Sequence, residues 1–492
     1  MLVKIKLIII SGLIMLLGAC GGSGGGEKLP VTTSSEEALA DYMTGLEYLD
    51  NIRTREAREM FEQALEKDPK FAMAHIYSIA NGPIDAQAQK HLRKALQLAP
   101  QVSEAEQIMI KAAKAQFDND SEKGFKLLEK LADMYPDDER AQFLYGSLLY
   151  SDNKGGHAKA AIKALKKAIS INKDFAPAYN MLGYLYKGQG DFDKAEKALR
   201  KYSQLLPEEA NPYDSMGDLL VDKGEVEEAL EYYIKSFKIN PAFTISQRKA
   251  AMNQVFLGRY DEARENFWSA YEVEQSDMVK AATLRQIARS YIYEGNPEGA
   301  APIAEQALEL ANLSGSELLM GQVNWGIALM GLFKGNLVQA RSSMEIAKEI
   351  VFASDIVFNS EAFLSEAERA VFFLDVLLDV LGGEVEVASR KVAEFKEEHS
   401  DDEDDDWKTP YAEAKGLVEF TSGAYDAALE SFESVEDADA LNLFYQAKIN
   451  LLQGNTGRGM QLMKKVATRN KDNEDYYPFV RGQAIAALAE AQ

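Results

Sequence analysis

The sequence predicts an all-α array of stacked helix-turn-helix repeats, and three observations carry that prediction. A glycine is followed five residues later by an alanine eight times, at Gly156/Ala161, Gly190/Ala195, Gly224/Ala229, Gly258/Ala263, Gly295/Ala300, Gly335/Ala340, Gly383/Ala388 and Gly423/Ala428; Gly454/Gly459 is a ninth, worn copy. Ala161, Ala195, Ala229 and Ala263 are 34 residues apart, the length of one helix-turn-helix repeat. Within a repeat, apolar residues recur at the helical spacing i, i+3, i+4, i+7.

At 492 residues the length alone would suggest about three globular domains. A repeat array escapes that arithmetic, because each repeat buries its apolar face on its neighbours and the core grows lengthwise. A hydrophobic share of 46% with 27% charged residues is that of a folded chain. The formal net charge of −24 argues against nucleic acid, which needs a cationic surface to release its counterions. It also disfavours adsorption to anionic lipid.

Residues 1–19 read as a signal peptide: Lys4 and Lys6 precede an apolar run from Leu7 to Leu17, with small residues after it. Leu17-Gly18-Ala19-Cys20 resembles the lipobox of bacterial lipoproteins, and Cys20 is the single cysteine of the chain. The resemblance implies cleavage before Cys20, a lipid on its thiol and an acyl chain of the palmitate type on the new amino terminus. A plain signal peptide or an uncleaved anchor is the alternative. Loss of Lys4 and Lys6 takes the charge from −24 to −26, so the anchor must be hydrophobic, and two or more acyl chains at roughly 0.8 kcal/mol per methylene supply it. No second apolar run is long enough to span a bilayer. Gly21 follows the cysteine, where Asp would resemble an inner-membrane retention signal. The expected address is therefore the bacterial outer membrane, facing the periplasm, with the inner membrane or cell surface as alternatives. Residues 20–35, the lipidated cysteine and a Gly/Ser-rich stretch, are expected as a flexible linker of roughly 20 Å reach.

The repeats begin at 36. In 176–209, Tyr179, Leu182, Gly183 and Tyr186 line one face of a first helix, Gly190 turns the chain, Ala195 and Leu199 stripe a second helix, and Pro207 stops it. The next copy gives Tyr213, Met216, Gly217, Leu220, Gly224, Ala229, Tyr233 and Pro241; the first gives Gly45, Tyr48, Ala57, Phe61, Ala64 and Pro69. The small alanine lets two helices approach closely and the large residue fills the space beside it. This pattern resembles the tetratricopeptide-repeat (TPR) family over about 36–470. The resemblance implies a right-handed superhelical solenoid of about twelve TPR-like repeats with a C-terminal capping helix, around 478–490. The repeats at 72–136 are degenerate, and in the third Gly124 replaces the alanine. The expected organisation is a regular array over 36–275, looser and longer repeats over 276–396, an acidic loop at 397–408, and further repeats with the cap over 409–492. Residues 397–406 hold eight carboxylates, which repel one another and stay solvated, with Trp407 marking the return to structure.

Motifs for catalysis are sparse. His75, His91, His157 and His399 fall in different repeats or loops without metal-ligand spacing. Gly183–Gly188 lacks the Lys-Ser/Thr of a phosphate loop, and Asp118–Glu122 has Lys123 where a calcium loop needs glycine. No catalytic residue, metal or cofactor is expected. Binding remains, on the outward stripe of each first helix. That stripe reads Asn180, Tyr184, Asp214, then Arg248, Lys249, then Arg285, Arg289, Tyr293, then Trp325. The four cations are expected to receive an anionic group of a protein or peptide partner, Arg gripping a carboxylate through two bonds and the aromatic residues adding anchor area. The alternative is that they pair with nearby carboxylates at little gain. The expected function is a membrane-anchored periplasmic scaffold, in outline like the repeat lipoproteins of outer-membrane or cell-envelope assembly. A glycan- or peptide-capturing lipoprotein is the second reading and a catalytic envelope lipoprotein the third.

Overall fold

The computed structural model describes residues 27–79, 86–118, 120–151, 156–353, 361–400, 402, 405–470 and 475–491. The signal peptide and Cys20 lie outside them. Among the described residues every regular element is a helix, arranged in TPR-like antiparallel pairs, and the chain forms two compact units, Met1–Lys223 and Gly224–Gln492.

The first unit holds α1 (Glu36–Asp50) and α2 (Thr54–Lys67), α3 (Ala72–Ser78) and α4 (Ala86–Leu98), α5 (Glu104–Phe117) and α6 (Ser121–Met134), α7 (Glu139–Ser151) and α8 (Ala158–Ile171), α9 (Ala176–Gly188) and α10 (Phe192–Leu205), and then α11 (Asn211–Lys223). The second opens on α12 (Val226–Ile239). It continues with α13 (Thr244–Phe256) and α14 (Tyr260–Val273), α15 (Asp277–Glu294) and α16 (Pro297–Ser314), and α17 (Glu317–Phe333) and α18 (Leu337–Ala353). Then come α19 (Glu361–Leu381) and α20 (Val385–His399), α21 (Lys408–Thr421) and α22 (Tyr425–Glu433), α23 (Ala440–Leu452) and α24 (Thr456–Ala467), and last α25 (Tyr477–Glu490).

All nine turn glycines read from the sequence adopt positive φ, between 69° at Gly156 and 83° at Gly454. A side chain there would meet no atom within 4 Å, so glycine is needed for its conformation and not for space. The eight paired alanines are fully buried, each at 0% exposure. Inside the first helices glycine serves the other purpose: a Cβ on Gly183 would lie 2.4 Å from Leu199, and one on Gly45 2.6 Å from Phe61. The helix pairs therefore approach closely at these points, side chain against backbone.

Longer helices contribute to the drift in spacing after Ala263. The regular repeats use helices of 13 or 14 residues, whereas α15 and α16 have 18 and α19 has 21. Helix α19 carries a buried carboxylate inside a long apolar stripe: Asp379, 1% exposed, takes Lys391 of α20 at 2.7 Å and Arg341 of α18. Two cations on one carboxylate offset the cost of its burial and join three helices.

Both ends of the described chain fold back. Residues 28–34, within the stretch expected as linker, form no helix and are tied by hydrogen bonds to Asp68, Glu106 and Asp138 of the first unit. At the other end α25 packs on α24, where a cap was expected, and also on α15 and α23. The acidic stretch begins later than its charge suggested, since α20 carries residues 397–399; Trp407 is 9% exposed and packs on Tyr411.

Candidate functional site

In the first unit, Asn180 and Tyr184 of α9 face α11. The Asn180 amide donates to Asn211 Oδ1 at 3.3 Å and its oxygen accepts from Ser215 Oγ at 2.9 Å. Tyr184 donates to Asp218 Oδ2 at 2.8 Å and Tyr202 to Asn211 Oδ1 at 2.9 Å. Burial, then the Asp218 carboxylate, hold the Tyr184 phenol well above its usual pKa. Asp214 is 3% exposed. The three residues thus belong to a polar seam joining the first helices of consecutive repeats.

In the second unit the cations are partly buried. Arg248 on α13 has its pKa lowered by desolvation, with Glu274 acting in the opposite direction. Lys249 sits 5.6 Å over the Tyr233 ring, a cation–π contact. Arg285 donates to Gln322 Oε1 at 3.0 Å, and Arg289 lies one turn along α15. The structure thus brings Arg285 and Arg289 onto one face of α15, with Arg248 and Lys249 on α13 of the preceding repeat.

One aromatic residue of the stripe requires correction. Tyr293 is 4% exposed and meets Phe256 and Tyr477 edge-on, at centroid distances of 5.9 and 5.8 Å. It is core, not an exposed anchor. Trp325 is half-buried and donates through Nε1 to Asp475 Oδ2 at 2.9 Å. Both are engaged by the C-terminal segment, which lies on the first-helix face. Tyr476 packs on Phe373 of α19, Phe479 stacks on Phe333 of α17, and Arg481 donates to the Phe256 carbonyl of α13 at 2.6 Å. The aromatic cluster Tyr476-Tyr477-Pro478-Phe479 at the head of an alanine-rich helix is the sequence signal for this docking.

Two further groupings were not read from the sequence. His75 and His91 belong to α3 and α4 of one repeat, not to separate ones, and their Nδ1 atoms meet at 3.0 Å in the interior. Arg140 is ion-paired with Asp50, at 2.5 Å, beside Tyr42 and Tyr77. Among the described residues no group of three or more His, Cys, Asp or Glu is placed to hold a metal ion.

Helix pairs with a polar and cationic first-helix face define a helical-repeat interaction scaffold. Residues 42–78, 154–216 and 210–243 each match a tetratricopeptide-repeat family model. Those stretches carry tetratricopeptide repeats. Fifty residues are 42% identical to an uncharacterized protein of Methanocaldococcus jannaschii, covering 10% of this chain and 58% of that relative. Among solved structures it is similar to YrrB, described as a TPR protein with an unusual peptide-binding site, at 21% identity, covering 37% of this chain and 91% of YrrB with a TM-score of 0.29. A thermophilic TPR protein of Thermus thermophilus is 18% identical, covering 44% of this chain and 99% of that one, with a TM-score of 0.29. MamA of Desulfovibrio magneticus is 16% identical, covering 35% and 96%, with a TM-score of 0.30.

Proposed function

We propose that this protein is a lipid-anchored scaffold of the bacterial envelope, attached through Cys20 to the periplasmic face of the outer membrane, that captures a protein or peptide partner and takes part in envelope assembly. The partner reading is non-catalytic and rests on Arg285 and Arg289, one turn apart on α15, with Arg248 and Lys249 on α13 of the preceding repeat. Four cations on neighbouring first helices stand out in a chain of net charge −24. They suit a carboxylate-bearing segment, which a guanidinium can hold through two parallel bonds. The C-terminal helix covers Tyr293, so the cations, and not that ring, make the first contact with the partner.

A photoreactive residue at Gln322, the exposed neighbour of Arg285, tests this in cells. A protein adduct that disappears in Arg285→Glu/Arg289→Glu is expected. A saccharide adduct would establish solute capture instead, and a protein adduct indifferent to charge reversal would remove the cations from the function.

A further inference from the structure

The segment Lys28–Ser34 is seated on a row of three buried carboxylates drawn from three repeats. Asp68, Glu106 and Asp138 are 6%, 0% and 5% exposed; Asp68 closes α2, Glu106 lies in the first turn of α5 and Asp138 immediately precedes α7. Each divides its acceptor capacity between its own helix end and the segment. Asp138 caps Ala141 through Oδ1 at 2.8 Å and accepts the Leu29 amide through Oδ2 at 3.1 Å. Glu106 closes a capping box with Ser103 and accepts the Thr32 amide at 2.8 Å and hydroxyl at 2.6 Å. Asp68 accepts the Lys70 amide at 3.0 Å, the Ser34 amide at 2.9 Å and the Thr33 hydroxyl at 2.7 Å. Lys28 begins the row on Glu139 and the Asp137 carbonyl.

Three main-chain N–H groups, at Leu29, Thr32 and Ser34, are thus read by three carboxylates. The seated segment, rather than the acidity of the row, marks this as a peptide site. Residues 28–33 are half-buried and Ser34 is exposed, so polar bonds, each exchangeable with water at a modest net gain, do most of the holding.

We propose that this row is a binding ledge for a non-helical peptide segment, recognised through its backbone amides, with Lys28–Ser34 as the occupant carried in cis. A partner that displaces it presents a non-helical segment with hydroxyl side chains and a lysine at its amino-terminal end, the charge opposite to that of the ledge. The site is separate from the cations of the second unit, and its failure would leave that reading untouched.

The test uses the full chain and a labelled peptide Glu-Lys-Leu-Pro-Val-Thr-Thr-Ser-Ser, the sequence of residues 27–35. Thr32→Pro/Ser34→Pro removes two of the three amides and two hydroxyls from the cis segment while leaving the ledge intact. Saturable binding of the peptide to this variant is expected, weakened at least about tenfold in the unmodified chain, whose ledge is filled. The same peptide, N-methylated at its leucine, its first threonine and its first serine, loses the amides that correspond to Leu29, Thr32 and Ser34, and should lose binding by a similar factor. Tryptic cleavage after Lys28 reports the cis segment directly, and should be slower in the unmodified chain than in the variant. Absence of binding by a variant of unchanged helicity, equal binding of the N-methylated peptide, or equal cleavage in both chains would overturn the proposal.

Discussion

Ile52 stands five residues before Ala57, the place that the later repeats give to glycine, and takes φ of 60°. A β-branched residue in the left-handed region costs roughly 1–2 kcal/mol, whereas asparagine enters it readily. Ile52→Asn should therefore stabilise the first unit by up to about 1 kcal/mol after the loss of a half-buried side chain, read as a raised urea midpoint. Gly190→Ala should do the reverse at about 1 kcal/mol, although a Cβ meets nothing there. An unchanged midpoint in both would mean that these turns are not selected by conformation. This one constraint made most of the fold legible: a turn that demands positive φ prints glycine into the sequence wherever it recurs, and the tight helix contact prints alanine five residues later. Ile52 meets the same demand without the residue that announces it. The meeting of His75 with His91 was illegible for another reason, since no local pattern states which residues of two packed helices fall opposite each other. Burial lowers the pKa of the His75 imidazole, opposed by the Pro69 carbonyl and Asp68 and reinforced by His91 and Lys94. The unfolded chain then takes up a proton first, so this contribution to stability is complete above the ordinary value of about 6.5 and is lost as pH falls toward the depressed value in the folded state. Chemical denaturation at about pH 7.5 and about pH 5.5 should show a loss of stability in the first unit that is smaller in His75→Phe.

At the scale of elements, α25 shows where periodicity stops informing. Its length and apolar content identify a helix, and a helix after the last pair reads as a cap. Its seat on α15 and α23 depends on Tyr477, which is fully buried between Phe256 and Tyr293, residues about two hundred positions earlier. Nothing in a local window encodes that pairing. Tyr477→Ala removes a buried aromatic ring and should destabilise the second unit by about 3–5 kcal/mol, read as a lowered denaturation midpoint. It should also free Tyr293, Phe256 and Trp325 on the first-helix face. A loss below about 1 kcal/mol would mean that the helix is only loosely seated. The segment at 28–34 repeats the lesson from the other end. Its glycine-rich lead and hydroxyl residues read as linker by composition, yet Asp68, Glu106 and Asp138 each accept one of its amides, an arrangement visible only once the repeats are stacked. The candidate stripe was legible to the same degree: helical spacing put Arg285 and Arg289 on one face, but could not show that Tyr293 lies under another part of the chain or that Asn180 and Tyr184 are bonded to α11.

For the whole molecule, charge and attachment must be considered together. With −24 overall, and −26 once Lys4 and Lys6 are removed, electrostatics repels the body from anionic lipid. Among the described residues no helix is long and apolar enough to cross a membrane. If Cys20 carries acyl chains, those chains alone supply the affinity, and two or more of them anchor stably where one binds only marginally. Cys20→Ser removes the sole thiol and leaves every residue of the two helical units untouched. The substitution should abolish incorporation of a labelled fatty acid and move the protein from the membrane fraction to the supernatant, with unchanged helicity. Raising the ionic strength separates the two sources of attachment, because screening weakens contacts between exposed charges and leaves acyl burial in place. A wild-type protein that salt strips from membranes would be held by charge through a partner. One that resists salt and follows Cys20 is held by lipid, and the scaffold then works within reach of the bilayer whichever partner it holds.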